Sequence, residues 1–223
     1  MKIAILSDIH SNMSALKQVE DIIEQEMVDS VYICGDVVGY GKDVNECCER
    51  VREKGYVVVA GNHDYAVSHD GFDLSDYSAK AYSGIILNRK KINEENRNWL
   101  RELPLYYQTG DIEMVHGSLI YPETFQYFEL IDAEDNFKVM KGRVCFVGHT
   151  HSPGIYVEIE DKRYKDVMRY KKIVPVLSEY RFESRIIVDV GSVGLPRNSR
   201  MNGSLVFYTH SDRKIEFKRF KVK

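Results

Sequence analysis

Ile3-Ala4-Ile5-Leu6-Ser7-Asp8-Ile9-His10 is the stretch that decides the fold. Four apolar residues in a row, broken abruptly by a carboxylate and an imidazole, read as a parallel strand covered on both faces. Two more such runs follow, Val31–Cys34 and Val57–Ala60. Between them, Leu16, Val19, Ile23 and Met27 recur at helical spacing, with Ser11 or Asn12 placed to cap the start. Val44, Cys47, Cys48 and Val51 form a second helical face, and Gly55 supplies its stop. The order βαβαβ implies right-handed crossovers and a largely parallel sheet.

Outward from this unit the pattern changes twice. Residues 76–90 and 93–103 are predicted helical, with Pro104 closing the segment. Ile112–Val115, Val144–Val147, Ile186–Val188 and Leu205–Tyr208 then read as strands, while Ile215 and Phe217 alternate with charges as an exposed edge would. Asp132–Lys141 is the one helical pattern of that half. The class is α/β, with two sheets packed together and helices outside. No repeat or Pro/Gly-rich linker interrupts the chain, so residues 1–223 are expected to form a single domain.

Composition excludes several function classes. In 223 residues, 31 Lys and Arg stand against 34 Asp and Glu, and a net charge of −3 disfavours nonspecific binding to nucleic acid or an anionic membrane. No apolar run approaches a membrane span and the start is unlike a secretory signal, which predicts a cytoplasmic protein. Cys34, Cys47, Cys48 and Cys145 lack CxxC spacing and read as reduced core residues. The six basic side chains between Lys162 and Lys172 read as a solvated hairpin or loop.

The polar residues at the ends of the apolar runs carry the chemistry. They are Ser7-Asp8-Ile9-His10, Gly35-Asp36, Gly61-Asn62-His63-Asp64, His116-Gly117 and Gly148-His149-Thr150-His151. In open α/β sheets ligands bind beyond the carboxyl ends of the strands, so these motifs can meet in one cleft. Each alone is a common turn or cap. Together they hold five of the chain's seven histidines, with no cysteine among them. Such oxygen and nitrogen donors suit Mn²⁺, Fe, Zn²⁺, Co²⁺, Ni²⁺ or Mg²⁺. Seven donors are too many for one catalytic ion, but suit two ions roughly 3.5–4 Å apart that share a carboxylate.

With Gly35-Asp36-Val37-Val38-Gly39-Tyr40-Gly41 and Gly191-Ser192-Val193-Gly194-Leu195-Pro196-Arg197, the set resembles the calcineurin-like metallophosphoesterase superfamily, in its small single-domain prokaryotic branch. The resemblance runs from Asp8 to Arg197. It implies a four-layer αββα sandwich of two mixed sheets flanked by helices. It implies one metal on Asp8, His10, Asp36 and His151, another on Asp36, Asn62, His116 and His149, and Asp36 as the bridge. Manganese is the first expectation for both ions. Two cations would lower the pKa of a bridging water, from ~15.7 to about 7 in the best-known zinc case, and hold the hydroxide in line with phosphorus. The resemblance makes His63 the general acid. Asp64 either orients His63 or caps the following turn, and Arg197, with Asn198, is a candidate phosphate clamp.

These readings point to a hydrolase of phosphomonoesters or small phosphodiesters, acting on a small phosphorylated substrate. A cyclic-nucleotide phosphodiesterase or nuclease is the second enzyme reading, and the charge balance disfavours the nuclease. A non-catalytic protein-interaction scaffold, the role one member of the superfamily has in the retromer coat, is the third. Eukaryotic-type serine/threonine phosphatases of the superfamily carry Gly-Asp-x-Val-Asp-Arg-Gly. Here Gly39 and Tyr40 replace the Asp-Arg pair, so simple analogy does not extend to phosphoproteins. Tyr77, Tyr82, Tyr121, Tyr127 and Phe128 are expected either to cap the cleft or to complete the core.

Overall fold

Every residue from Ile3 to Leu6 is fully buried, because each face of this strand meets a different layer. Ala4 and Leu6 join Leu16, Val19 and Cys48 in a helix-facing core, while Ile3 and Ile5 join Phe146 and Val188 from a second sheet. The computed structural model describes residues 1–160, 168–173, 179–197 and 202–222. Its first half runs β1 (Lys2–Leu6), α1 (Met13–Glu26), β2 (Ser30–Ile33), α2 (Val44–Glu53), β3 (Val57–Val58), α3 (Asn62–Ser68), α4 (Ala79–Lys91) and α5 (Glu94–Arg101). The second half runs β4 (Tyr106–Thr109), β5 (Ile112–Val115), α6 (Ala133–Val139), β6 (Val144–Val147), β7 (Gly154–Glu160), β8 (Met168–Ile173), β9 (Glu179–Arg181), β10 (Ile186–Asp189), β11 (Asn202–Thr209) and β12 (Lys214–Lys221).

Among the described residues these strands make two six-stranded sheets, ordered β3-β2-β1-β11-β12-β9 and β4-β5-β6-β10-β7-β8. Both are mixed. β1 runs parallel to β2 but antiparallel to β11, pairing Ile3 with Ser30 and with Tyr208. β6 is parallel to β5 and β10, whereas β7 is antiparallel to β10. The helices α1, α2, α4 and α5 cover the first sheet, and α6 covers the second through Ala133 and Phe137 packed with Cys145 and Ile187. Full burial of Phe137, worth about 1.5–3 kcal/mol, helps anchor that outer layer. The result is the expected α/β/β/α sandwich.

The sequence signals for the helices correspond to visible contacts. Asn12 caps α1, its side chain accepting the Ala15 N–H at 3.0 Å. Gly55 takes φ +64° beyond α2, a conformation that a side chain disfavours. All four cysteines are free and buried.

One expectation needs correction. Ile215 and Phe217 do not lie on an exposed edge. Both are buried between the sheets, and β12 is flanked by β11 on one side and by β9 on the other, where Ile215 pairs with Tyr180. The Gly61–Asp64 motif opens a helix, since α3 begins at Asn62. Of the basic segment, Lys162–Val167 lie outside the described residues, as does Asn198. Arg169, Lys171 and Lys172 lie on β8, which pairs antiparallel with β7. Among the described residues no helix is long and apolar enough to cross a membrane.

Candidate metal centre

The parallel strands of both sheets end at one edge of the sandwich, and backbone hydrogen bonds stitch their loops together. Asp8 N–H donates to the Gly35 carbonyl at 3.0 Å, and His10 N–H to the Asp36 carbonyl at 3.0 Å. Gly148 N–H donates to the His116 carbonyl at 2.8 Å. A contact between the sheets comes from His149, whose N–H donates to Asp8 Oδ2 at 3.1 Å. The Gly191–Gly194 motif backs the first loop. Val193 N–H bonds the Ser7 carbonyl, Gly194 N–H the Asp8 carbonyl, and Ser192 Oγ donates to that same Asp8 oxygen, each at 2.9 Å.

This convergence requires unusual backbone. Asp8, His10, Asp36, His149 and His151 all have φ between +53° and +66°. The left-handed region is disfavoured for residues carrying a Cβ, and such conformations gather where the surrounding structure over-determines them. Here that over-determination is the stitching just described.

The seven expected ligands meet in a buried cluster. Asp8 Oδ1 lies 3.2 Å from His151 Nε2 and 3.7 Å from His10 Nε2. Asp36 Oδ2 lies 3.7 Å from His10 Nε2 and 3.4 Å from His116 Nε2, which places it between the two halves. Asn62 Oδ1 and His149 Nδ1 stand 3.2 and 3.1 Å from His116 Nε2. Asp8, His10 and His151 form one group with ligand atoms within 4.8 Å of one another, and Asp36, His116 and His149 form another.

The donor chemistry fits cations. His10 Nδ1 faces the Val38 carbonyl at 3.2 Å, His116 Nδ1 the Cys34 carbonyl at 2.6 Å, and His151 Nδ1 the Leu195 carbonyl. A carbonyl only accepts, so each Nδ1 carries a proton, and each ring, when its Nε2 is deprotonated, turns that lone pair inward. His10 and His151 then face each other Nε2 to Nε2 at 3.1 Å, an arrangement that needs a proton or a cation between them. Among the described residues Asp8 Oδ1 is buried with no hydrogen-bond partner, and a buried carboxylate oxygen calls for a positive neighbour, a protonated imidazole or a cation.

Protonation of these side chains follows from the same neighbours. Burial presses the His116 imidazole down, but the Asp36 carboxylate overrides it and lifts the value to about 9. His151 rises likewise, against burial, through Asp8. Burial and the His116 charge push His149 down to about 3, and burial holds His10 well below the usual imidazole range. Each of the two carboxylates thus favours the charged form of one imidazole.

His63 lies beside this group. A ring nitrogen of His63 falls within 4.8 Å of ligand atoms of His10 and Asp36, so its ring is closer to the donors than a free neighbour need be. Among the described residues its Nδ1 is buried and has no hydrogen-bond partner, and burial lowers its pKa. Asp64 accepts the backbone N–H groups of Asp36, Val38 and Gly61 at 2.8, 3.0 and 3.0 Å. These bonds brace the Asp36 loop and the start of α3, which lies before Asp64 and not after it.

A cleft of about 720 Å³ opens over the cluster. Tyr40, Phe72, Tyr77, Phe125 and Tyr127 supply its aromatic walls, with Lys80 and Arg197 as cations. Tyr127 stacks on His149 at 3.9 Å, and Arg197 Nη1 donates to its hydroxyl at 3.4 Å. Of the aromatics expected at a cap or in the core, Tyr77 and Tyr127 line the cleft, Phe128 is core, and Tyr82 and Tyr121 are exposed.

Two supporting residues, Asn88 and Asp189, escape a reading of motifs, and the bond of a third, Tyr77, to Asn62 escapes it as well. Asn88 accepts Ser11 Oγ–H and Gly39 N–H through Oδ1 and donates to the Gly41 carbonyl. Asp189 accepts the Thr150 hydroxyl and the Gly191 N–H, tying down the His149–His151 loop. Tyr77 holds the Asn62 side chain. Each acts at long range from an unremarkable local sequence.

A chain with this sandwich and this strand-end cluster has a known class. The calcineurin-like phosphoesterase superfamily domain matches residues 1–212, and the chain belongs to that family. It is similar to protein MJ0912 of Methanocaldococcus jannaschii, 33% identical over 222 residues, which are 97% of this chain and 86% of that protein. The crystal structure of a metallophosphoesterase from Sphaerobacter thermophilus superposes with a TM-score of 0.82 at 29% identity, covering 100% of this chain and 89% of that one. Protein PH1004 of Pyrococcus horikoshii OT3 shares the fold, with a TM-score of 0.75 at 18% identity over 100% of this chain and 88% of its own.

Proposed function

We propose that the protein hydrolyses phosphomonoesters or small phosphodiesters, using two divalent ions, Mn²⁺ first among them, shared through Asp36. The observation that carries this reading is the pair of inward-facing imidazole groups on either side of the Asp36 carboxylate. When bound, the ions would neutralise phosphate oxygens and acidify a water. Asp8, His10, Asp36 and His151 would hold one, and Asp36, Asn62, His116 and His149 the other.

The remaining chemistry belongs to the chain. His63, on the cleft wall, would give a proton from its ring to the leaving oxygen. Burial lowers its pKa, and a phosphate anion beside the ring would act in the opposite direction. Arg197, at the cleft mouth, would hold a phosphate oxygen by a charge-assisted bond. The aromatic walls favour an ester that carries a ring, which keeps cyclic nucleotides among the candidate substrates.

Purified protein supplied with Mn²⁺, Zn²⁺, Co²⁺, Ni²⁺, Mg²⁺ or Fe²⁺ and assayed with p-nitrophenyl phosphate and bis-p-nitrophenyl phosphate tests the proposal. Turnover of either compound is expected. Inactivity with every metal would favour the scaffold reading.

A further inference from the structure

The structure assigns Tyr77 a positioning role: its hydroxyl locks the Asn62 carboxamide with the oxygen inward, and so sets the affinity of the Asp36–Asn62–His116–His149 cation position. The inference rests on the two-ion reading above.

Tyr77 reaches the site from the segment between α3 and α4. Its hydroxyl donates to the Asn62 backbone carbonyl at 3.1 Å and accepts from Asn62 Nδ2 at 2.8 Å. A phenol has one proton to give. With that proton on the backbone carbonyl, the phenol oxygen can only accept, so it selects the amide nitrogen and turns Oδ1 toward His116 Nε2, 3.2 Å away. The flipped amide would set two acceptors against each other at Tyr77 and aim an N–H₂ group at the cation.

Such a lock matters most at Asn62. The carboxylate ligands have two oxygens able to coordinate. His10, His116 and His151 are each oriented by a backbone carbonyl. An amide oxygen is neutral and shares its group with a donor that repels cations. The tyrosine ring itself is held separately, edge-on to His63 at 5.5 Å and to Phe72 at 6.4 Å. Removal of the hydroxyl alone should therefore leave the ring in place.

Titration of metal-stripped protein with Mn²⁺ in a calorimeter tests the lock. Wild type should show two binding steps. Tyr77→Phe should weaken one of them by ~10-fold or more, the usual effect of losing a partner behind a metal ligand, and leave the other and the metal-free melting temperature unchanged. Asn62→Asp supplies a group with no amide to flip, so adding Tyr77→Phe to it should have no further effect. Two wild-type steps in Tyr77→Phe would overturn the lock. So would equal weakening of both steps, or the same Tyr77→Phe penalty in the Asn62→Asp protein. Fewer than two steps in wild type would instead overturn the two-ion reading, and the lock with it.

Discussion

The Asp64 carboxylate accepts the backbone N–H of Asp36 at 2.8 Å, so one aspartate holds in place the loop that carries another. Asp36 sits at φ +57°, and its own Oδ1 accepts the His63 N–H at 2.8 Å, which closes a reciprocal clasp between the two loops. Asp64→Ala would leave three buried N–H groups, those of Asp36, Val38 and Gly61, without a partner. Each such group costs about 1–3 kcal/mol. We expect urea unfolding of the metal-free variant to report a loss of at least ~3 kcal/mol. Unchanged stability with reduced turnover would instead mean that Asp64 serves the His63 ring.

His63→Ala separates proton donation from ion holding. If the ring gives the leaving oxygen its proton, kcat on p-nitrophenyl phosphate should fall by roughly 10²–10⁴-fold. Metal content by elemental analysis should stay at the wild-type value. The nearness of the ring to His10 and Asp36 makes the second measurement decisive. A variant that lost an ion would show His63 to be a ligand.

The donors were legible because each ends an apolar run, where a carboxylate or imidazole has no core to join. The same local rule misplaced β12. Ile215 and Phe217 alternating with charges does describe a strand with one buried face, but its neighbour β9 spans only Glu179–Arg181, too short to leave a pattern. The helix α3 was hidden for a different reason. Six of its seven residues are buried, so it lacks the polar face that makes a helix periodic in sequence. Asn88 and Asp189 were illegible because their meaning lies in partners distant along the chain, Asn88 with Ser11 and Asp189 with Thr150.

Gly194 should tolerate no side chain. A Cβ there would run into the Ile9 carbonyl oxygen and crowd the Asn12 Cβ at 3.1 Å. Backbone cannot rotate aside as a flexible side chain can, so Gly194→Ala must push the Asp8–His10 loop away from His151. Overpacking of this kind costs about 1–3 kcal/mol. The expected result is a lower melting temperature for the metal-free protein together with weaker Mn²⁺ binding. Retention of both wild-type values would show that the loop is not held against the Gly191–Gly194 motif.

Asp189 should make the metal-free protein less stable as pH rises. Burial lifts its pKa from 3.8 to about 7, with the Thr150 hydroxyl and the Gly191 N–H only partly offsetting it. Between those values the folded chain keeps a proton that the unfolded chain has already released. Folding stability from this group is therefore greatest below about pH 4 and declines until about pH 7, beyond which it is level. Asp189→Asn cannot titrate, so the stability difference between variant and wild type should move in the variant's favour from pH 4 to pH 7. Paired urea unfolding curves at several pH values measure this directly. A difference that stays constant with pH would mean that the Asp189 carboxylate remains ionised in the fold, with the loop donors stabilising its charge.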